Sequence, residues 1–178
     1  MKKSFMGFVF ASVLAIASGV AGTDAKSYKK VIVEPETTCN FRDLEFQVDG
    51  FFTGVVARRT HGQTLNGGVG GGTGLNVFFA RYFGLGAEAF WYGNGGTAEH
   101  MIVGNAFFRY PICSINLAPY VVVGGGAGWD GTAVGFGHVG GGLEWRFHKN
   151  IGLFADGRYF YGAPDGIGVL RSGLRFAF

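Results

Sequence analysis

The chain has 178 residues, of which 34 are glycine, 16% are aromatic and only 15% are charged, with a formal net charge of +3. That length suits one domain, and so weak a positive charge without a Lys/Arg run excludes nucleic acid as an expected partner. The glycines are interleaved with Phe, Val, Leu and Tyr, which leaves too much apolar surface for a disordered chain.

Residues 1–25 read as a signal peptide. Lys2 and Lys3 supply the charged start, Phe5 to Ala21 is apolar, and Ala21, Gly22 and Ala25 compete as small residues for a peptidase. An anchoring membrane helix is the alternative. No cysteine directly follows the apolar run, so lipoprotein processing is not expected. Residues 26–42, with mixed charge and Pro35, suit a periplasmic segment. Beyond the signal no apolar run approaches the roughly 20 residues of a spanning helix.

From Leu44 onward apolar residues alternate with small or polar ones, the period of a β-strand. Eight segments follow: Leu44–Val55, Val69–Tyr82, Leu85–Gly93, Met101–Tyr110, Ser114–Gly128, Ala133–Phe147, Ile151–Tyr161 and Val169–Phe178. Each is near or above the about 9–11 residues that a tilted strand needs to cross a bilayer, and their number is even. The predicted fold is all-β: an eight-stranded antiparallel transmembrane barrel over residues 43–178.

One face carries Leu75, Val77, Phe79, Ile102, Phe108, Leu117, Val121, Val123, Val139, Leu143, Trp145, Phe147, Leu153, Leu174, Phe176 and Phe178. The alternate positions carry Glu45, Asp49, Asn76, Glu88, Asn105, Arg109, Asn116, His138, Glu144, Arg146, Asp156, Arg158, Arg171 and Arg175. A soluble barrel places the apolar face inside and a membrane barrel reverses it. The signal peptide and the aromatics near segment ends favour the reversed version. Trp91, Tyr92, Trp129, Tyr159 and Tyr161 mark one end, and Tyr82, Tyr110, Trp145, Phe147, Phe176 and Phe178 the other. The lumen of eight strands is wide enough only for side chains. Glu45, Asp49, Glu88, Glu144 and Asp156 are therefore expected to pair there with Arg109, Arg146, Arg158, Arg171 and Arg175, since charges withdrawn from water need partners. A gated ion path is the functional alternative to this structural core. The tracts Gly70–Gly72, Gly124–Gly126 and Gly140–Gly142 lie inside segments with no helix pattern after them, so they read as room and bending in a narrow barrel rather than a phosphate loop. Pro119 and Arg81 break the pattern, both near the expected periplasmic interface.

The last eight residues, Arg171-Ser172-Gly173-Leu174-Arg175-Phe176-Ala177-Phe178, resemble the C-terminal β-signal read by the barrel-assembly machinery, with Arg171, Gly173, Phe176 and Phe178 at its key positions. The stretch from Ala118-Pro119-Tyr120 through the glycine tracts, Glu144-Trp145-Arg146-Phe147 and Asp156-Gly157-Arg158-Tyr159 resembles the opacity-protein and outer-membrane-protein-A-like small barrels. That resemblance implies an outer-membrane location in a Gram-negative-type cell, with outer-membrane lipid and lipopolysaccharide as surroundings. It implies a structural or surface role such as antigen or adhesin, far better than any single activity. A narrow porin-like channel is the alternative.

Some small barrels act on lipid A, and the resemblance there would begin at His138, but position 140 is glycine where a nucleophile is needed. Ser114 and Ser172 are the serines in or beside the strands, neither near a histidine in the strand map, so a Ser–His–acid set is not expected. His61, His100 and His148 are placed in links, without metal-ligand spacing. No catalytic residue, metal or cofactor is expected. Cys39 precedes the first strand and Cys113 follows the fourth, so both are expected at the periplasmic end, an oxidising compartment. A disulfide tying the N-terminal segment across the barrel is preferred over two free thiols. The links that hold Arg58, Arg59, His61 and Glu99 are expected to face the outside, toward an extracellular ligand the sequence does not specify.

Overall fold

The structure, a computed structural model, describes residues 39–57, 66–94, 97–129, 133–162 and 166–178. Residues 1–25, expected to be a signal peptide, and most of the expected 26–42 periplasmic segment fall outside them, as do Arg58, Arg59 and His61. The described residues form eight strands: β1 (Glu45–Ala57), β2 (Asn66–Ala80), β3 (Phe83–Asn94), β4 (Thr97–Arg109), β5 (Leu117–Trp129), β6 (Ala133–His148), β7 (Ile151–Tyr161) and β8 (Ile167–Ala177). Each pairs antiparallel with the next and β8 returns to β1, closing the barrel. Closure gives the backbone N–H and C=O groups of every strand partners on both sides, with no free edge. The end that holds the start of β1 and the finish of β8 is called the base below; the other end is the rim.

The two faces are inverted relative to a water-soluble barrel. Phe52, Val69 and Leu170 are 79%, 81% and 67% exposed on the outer wall, whereas Glu45, Arg109, Glu144 and Arg146 are fully buried within. Side chains alternate across a strand, so one parity fixes a whole row. In β7, Phe154, Asp156, Arg158 and Phe160 all point inward, while Leu153, Tyr159 and Tyr161 point out.

Several sequence expectations are corrected. β5 begins at Leu117, not Ser114, because residues 110–116 form a turn closed by the Ile112–Leu117 bridge. Asn116, expected in the lumen, sits in that turn at φ 53°, a left-handed conformation that its short polar side chain tolerates. β3 and β4 run on to Asn94 and Thr97, so His100 belongs to β4 and not to a link, and His148 is the last residue of β6. Tyr92 is buried inside the barrel rather than in an outer girdle, because it shares the parity of Phe90. Arg81 is half-buried in the β2–β3 turn at the base; its backbone N–H donates to Asp43 at 2.8 Å and its guanidinium lies 3.6 Å from the same carboxylate. Pro119 keeps its carbonyl in use, accepting the Tyr110 N–H at 2.9 Å.

Inward glycines make room for large rings around the barrel wall. Gly72 and Gly173 flank Phe51 in register, and a Cβ at Gly173 would lie 2.2 Å from the Gly50 carbonyl oxygen and 2.7 Å from Phe51. Their absence of side chains lets Phe51 approach Phe90 and Phe154, with ring centroids 6.2 Å apart in both pairs.

Candidate functional site

The lumen holds the buried chemistry, and its charges separate into two neutral clusters. At the base, Glu45, Asp49 and Glu144 face Arg109, Arg146 and Arg175. Arg146 reaches Glu45 at 2.7 Å and also binds Glu144; Arg109 reaches Glu45 at 3.0 Å and lies 3.7 Å from Glu144. Arg175 forks onto both Asp49 oxygens at 2.6 and 2.8 Å and reaches Glu144 at 2.7 Å. Nearer the rim, Glu88 and Asp156 face Arg158 and Arg171. Arg158 donates to both Glu88 oxygens at 2.9 and 3.1 Å, and Arg171 bridges Glu88 at 2.7 Å and Asp156 at 2.8 Å. Charges withdrawn from water persist where such multiple charge-assisted bonds satisfy them.

Aromatic rings separate and line these clusters. Tyr120 links them: its hydroxyl donates to Asp156 at 2.8 Å while its ring lies 5.7 Å from the Arg175 guanidinium. Arg109 stacks 3.7 Å over Phe78, Arg171 4.5 Å over Phe51 and Arg175 4.7 Å over Phe154. These cation–π contacts, desolvated, strengthen the hold on each guanidinium.

Both ends of the lumen are stopped. At the base, Cys39 and Cys113 are disulfide-bonded, with Cα atoms 4.7 Å apart. The bond anchors residues 39–43 across the opening. Phe41 is 1% exposed, and the Arg109 and Arg146 guanidiniums each lie 5.0 Å from its ring. Asn40 donates to the Arg146 carbonyl at 3.2 Å and accepts from its guanidinium at 3.3 Å. Arg42 donates to the carbonyls of Lys149 and Ala177 at 3.2 and 3.4 Å, and Asp43 holds Arg81. Five residues thus touch the β2–β3, β4–β5 and β6–β7 turns and the end of β8. Toward the rim an apolar layer of Phe51, Val55, Phe90, Tyr92, Met101, Val103, Phe154, Phe160 and Val169 packs across the lumen, with Phe136 and Ile167 against it. Tyr92 donates through its hydroxyl to Glu99 at the rim end of β4, so Glu99 is engaged inside the barrel wall and is not a loop residue.

This arrangement holds charge, and it keeps apart the side chains weighed for a Ser–His–acid set. His138 is fully buried in the lumen, its ring 4.9 Å from Phe160, whereas Ser172 is exposed on the outer wall of β8 and Ser114 lies in the base turn. A nucleophile and base on opposite sides of a strand wall cannot share a proton. Among the described residues no group of three His, Cys, Asp or Glu side chains is placed to hold a metal. Of the four residues expected to form a β-signal, Arg171 and Gly173 face inward while Phe176 and Phe178 lie on the outer wall.

Sequence reasoning missed Phe41 and the apolar layer. The layer's signal was present, since Phe51, Phe90, Phe154 and Phe160 share the parity of the buried charges. Phe41 lies before the alternating region and carries no periodic signal.

No protein-family model and no curated protein sequence matches the chain. Solved structures do. Neisserial surface protein A is 16% identical with a TM-score of 0.66, covering 75% of this chain and 97% of that one. The N-terminal barrel domain of Pseudomonas aeruginosa OprF is 18% identical with a TM-score of 0.61, covering 77% and 99%. Ail, the attachment invasion locus protein of Yersinia pestis, is 15% identical with a TM-score of 0.59, covering 76% and 99%. At such identities the likeness speaks for architecture, and by it the chain has the fold of the small eight-stranded outer-membrane β-barrels.

Proposed function

We propose that this protein is a Gram-negative outer-membrane β-barrel with a structural or surface-interaction role, antigen- or adhesin-like, and that it is not an enzyme. The carrying observation is a lumen that is charged, paired and stopped at both ends, inside a wall whose large apolar side chains face outward. Such a wall is stable against hydrocarbon and not against water. With Phe41 below, the aromatic layer above and two neutral ion clusters between, the interior supports the wall and leaves binding to the rim. Three features of biogenesis belong to the same reading: the signal peptide over residues 1–25, a periplasmic 26–42 segment, and recognition of Arg171, Gly173, Phe176 and Phe178 by the barrel-assembly machinery. Outer-membrane lipid and lipopolysaccharide then surround the wall, and an extracellular ligand meets the rim loops, among them the one with Arg58, Arg59 and His61. A likeness to a surface protein and to an attachment invasion locus protein supports this class of role.

Two measurements test it. Unboiled protein extracted from membranes is expected to migrate faster on a gel than boiled protein, as a closed barrel does. In planar bilayers the same preparation is expected to give no steady conductance. A steady current would replace this reading with a pore.

A further inference from the structure

The disulfide divides the fold in half. Cys39 and Cys113, 74 residues apart in sequence, enclose β1 to β4 and nothing of β5 to β8. Within that loop every pairing joins consecutive strands, whereas the seam between β1 and β8 joins the two ends of the barrel. Pairings that span more chain form later, because loop closure costs entropy before any contact offsets it. The start of β1 and the end of β4 both lie at the base, three strand spacings or about 14 Å apart along the sheet. Residues 40–44 reach up to about 20 Å when extended. The two cysteines therefore meet across a β1–β4 sheet, flat or curved, without β5 to β8. After closure the reaction is harder. Disulfide exchange passes through a mixed disulfide, in which one cysteine carries the oxidant. Both cysteines are half-buried, and Cys39 is two residues from Phe41, which is 1% exposed beside the Arg109 and Arg146 guanidiniums. A protein-sized oxidant on either sulfur requires the strap to lift and Phe41 to withdraw.

We propose that the Cys39–Cys113 bond is made before the barrel closes, by a periplasmic protein-disulfide oxidant, and that the tethered strap of residues 39–43 is the template for the β1–β8 seam. The proposal rests on the outer-membrane reading above. One cysteine thiolate attacks the oxidant's disulfide and releases one of its sulfurs as a thiolate. The second cysteine thiolate attacks the chain's own sulfur in the mixed disulfide and releases the other. Two protons and two electrons leave the chain's thiols, and the oxidant's disulfide becomes a dithiol. The oxidised strap then lies where β8 ends. The Arg42 backbone N–H donates to Glu45 at 3.4 Å, and its guanidinium donates to the carbonyls of Lys149 and Ala177 at 3.2 and 3.4 Å. Beside it Phe46 and Phe178 exchange backbone bonds at 2.8 and 3.3 Å. A donor fixed before β8 arrives lowers the ordering cost of the seam.

The test follows closure by heat-modifiable migration. Protein recovered from membranes is unfolded in urea, with its disulfide intact or after reduction, and diluted into dilauroyl phosphatidylcholine vesicles. The intact chain is expected to reach the fast-migrating form at least about tenfold sooner than the reduced chain, because the loop over β1–β4 is already closed. The double variant Cys39→Ser with Cys113→Ser is expected to fold at the reduced chain's rate with or without reductant, which separates the bond from the reagent. Equal rates for intact and reduced chains, or a slower intact chain, overturn the template. In cells, pulse-labelled chains are denatured in acid at intervals and blocked with a maleimide polymer. The disulfide is expected before the fast-migrating form. Fast-migrating chains with both thiols still reactive overturn the order, as do free thiols in protein recovered from membranes. Failure of every form to insert into vesicles refutes the membrane reading itself, whereas insertion at equal rates refutes only the proposal.

Discussion

Replacing Arg175 by methionine removes the side chain on which the base cluster turns. Its guanidinium makes two bonds to Asp49 and one to Glu144, and stacks on Phe154. After the change Glu144 still has Arg146, and Arg109 within 3.7 Å. Among the described residues the Asp49 carboxylate keeps only the Asn76 amide at 2.8 Å. One carboxylate is then buried without a counter-charge, and three acids face two arginines. Breaking a buried pair from one side costs about 3–5 kcal/mol, most of it from the stranded charge. Arg175→Met is therefore expected to lower the unfolding free energy by about that amount, read from urea transitions in lipid vesicles by tryptophan fluorescence. The decisive arm is the double variant Asp49→Asn with Arg175→Met. It returns the base cluster to two acids and two arginines and strands nothing, so it is expected to recover at least half of the loss. A single variant that costs under about 1 kcal/mol, or a double variant at least as unstable as the single, would refute the claim that paired charge holds the lumen.

The other expectations probe the stoppers and the wall. The disulfide closes a loop of 74 residues, so reduction or Cys113→Ser is expected to lower stability by up to about 4 kcal/mol on chain-entropy grounds, seen as a lower urea midpoint in reductant; an unchanged midpoint would show that the noncovalent contacts of residues 39–43 suffice. Phe41→Ala is expected to cost about 3–5 kcal/mol and to expose residues 39–44 to protease, whereas an uncleaved segment would mean that the arginine contacts hold without the ring. Gly173→Ala forces a Cβ to within 2.2 Å of a backbone oxygen in β1, while nothing lies within 4 Å of a Cβ at Gly50. Gly173→Ala is therefore expected to abolish heat-modifiable migration after refolding in micelles, and Gly50→Ala to keep it; identical behaviour would remove the steric account.

Alternation by itself determined the strand count and, within each strand, most of the residues that share a face, because a strand's side chains have a period of two and a lipid-facing wall demands the full pattern; the antiparallel order followed from the short links, which cannot carry a parallel crossover. The segments Ala133–Phe147 and Ile151–Tyr161 match β6 and β7 to within a residue for that reason. Ends were less legible. The 110–116 turn hides its start because Ser114 and Asn116 continue the alternation past the point where the backbone turns over. Only the closed barrel decided which acid meets which arginine. Glu45 and Arg146 are 101 residues apart, and Asp49 and Arg175 are 126 apart; what joins them is the stagger of strands around a ring. The same closure set Phe41 against Arg109 and divided ten charges into two neutral groups, since a guanidinium reaches whatever carboxylate the curvature of the wall brings within its length, and no local rule of sequence encodes that curvature.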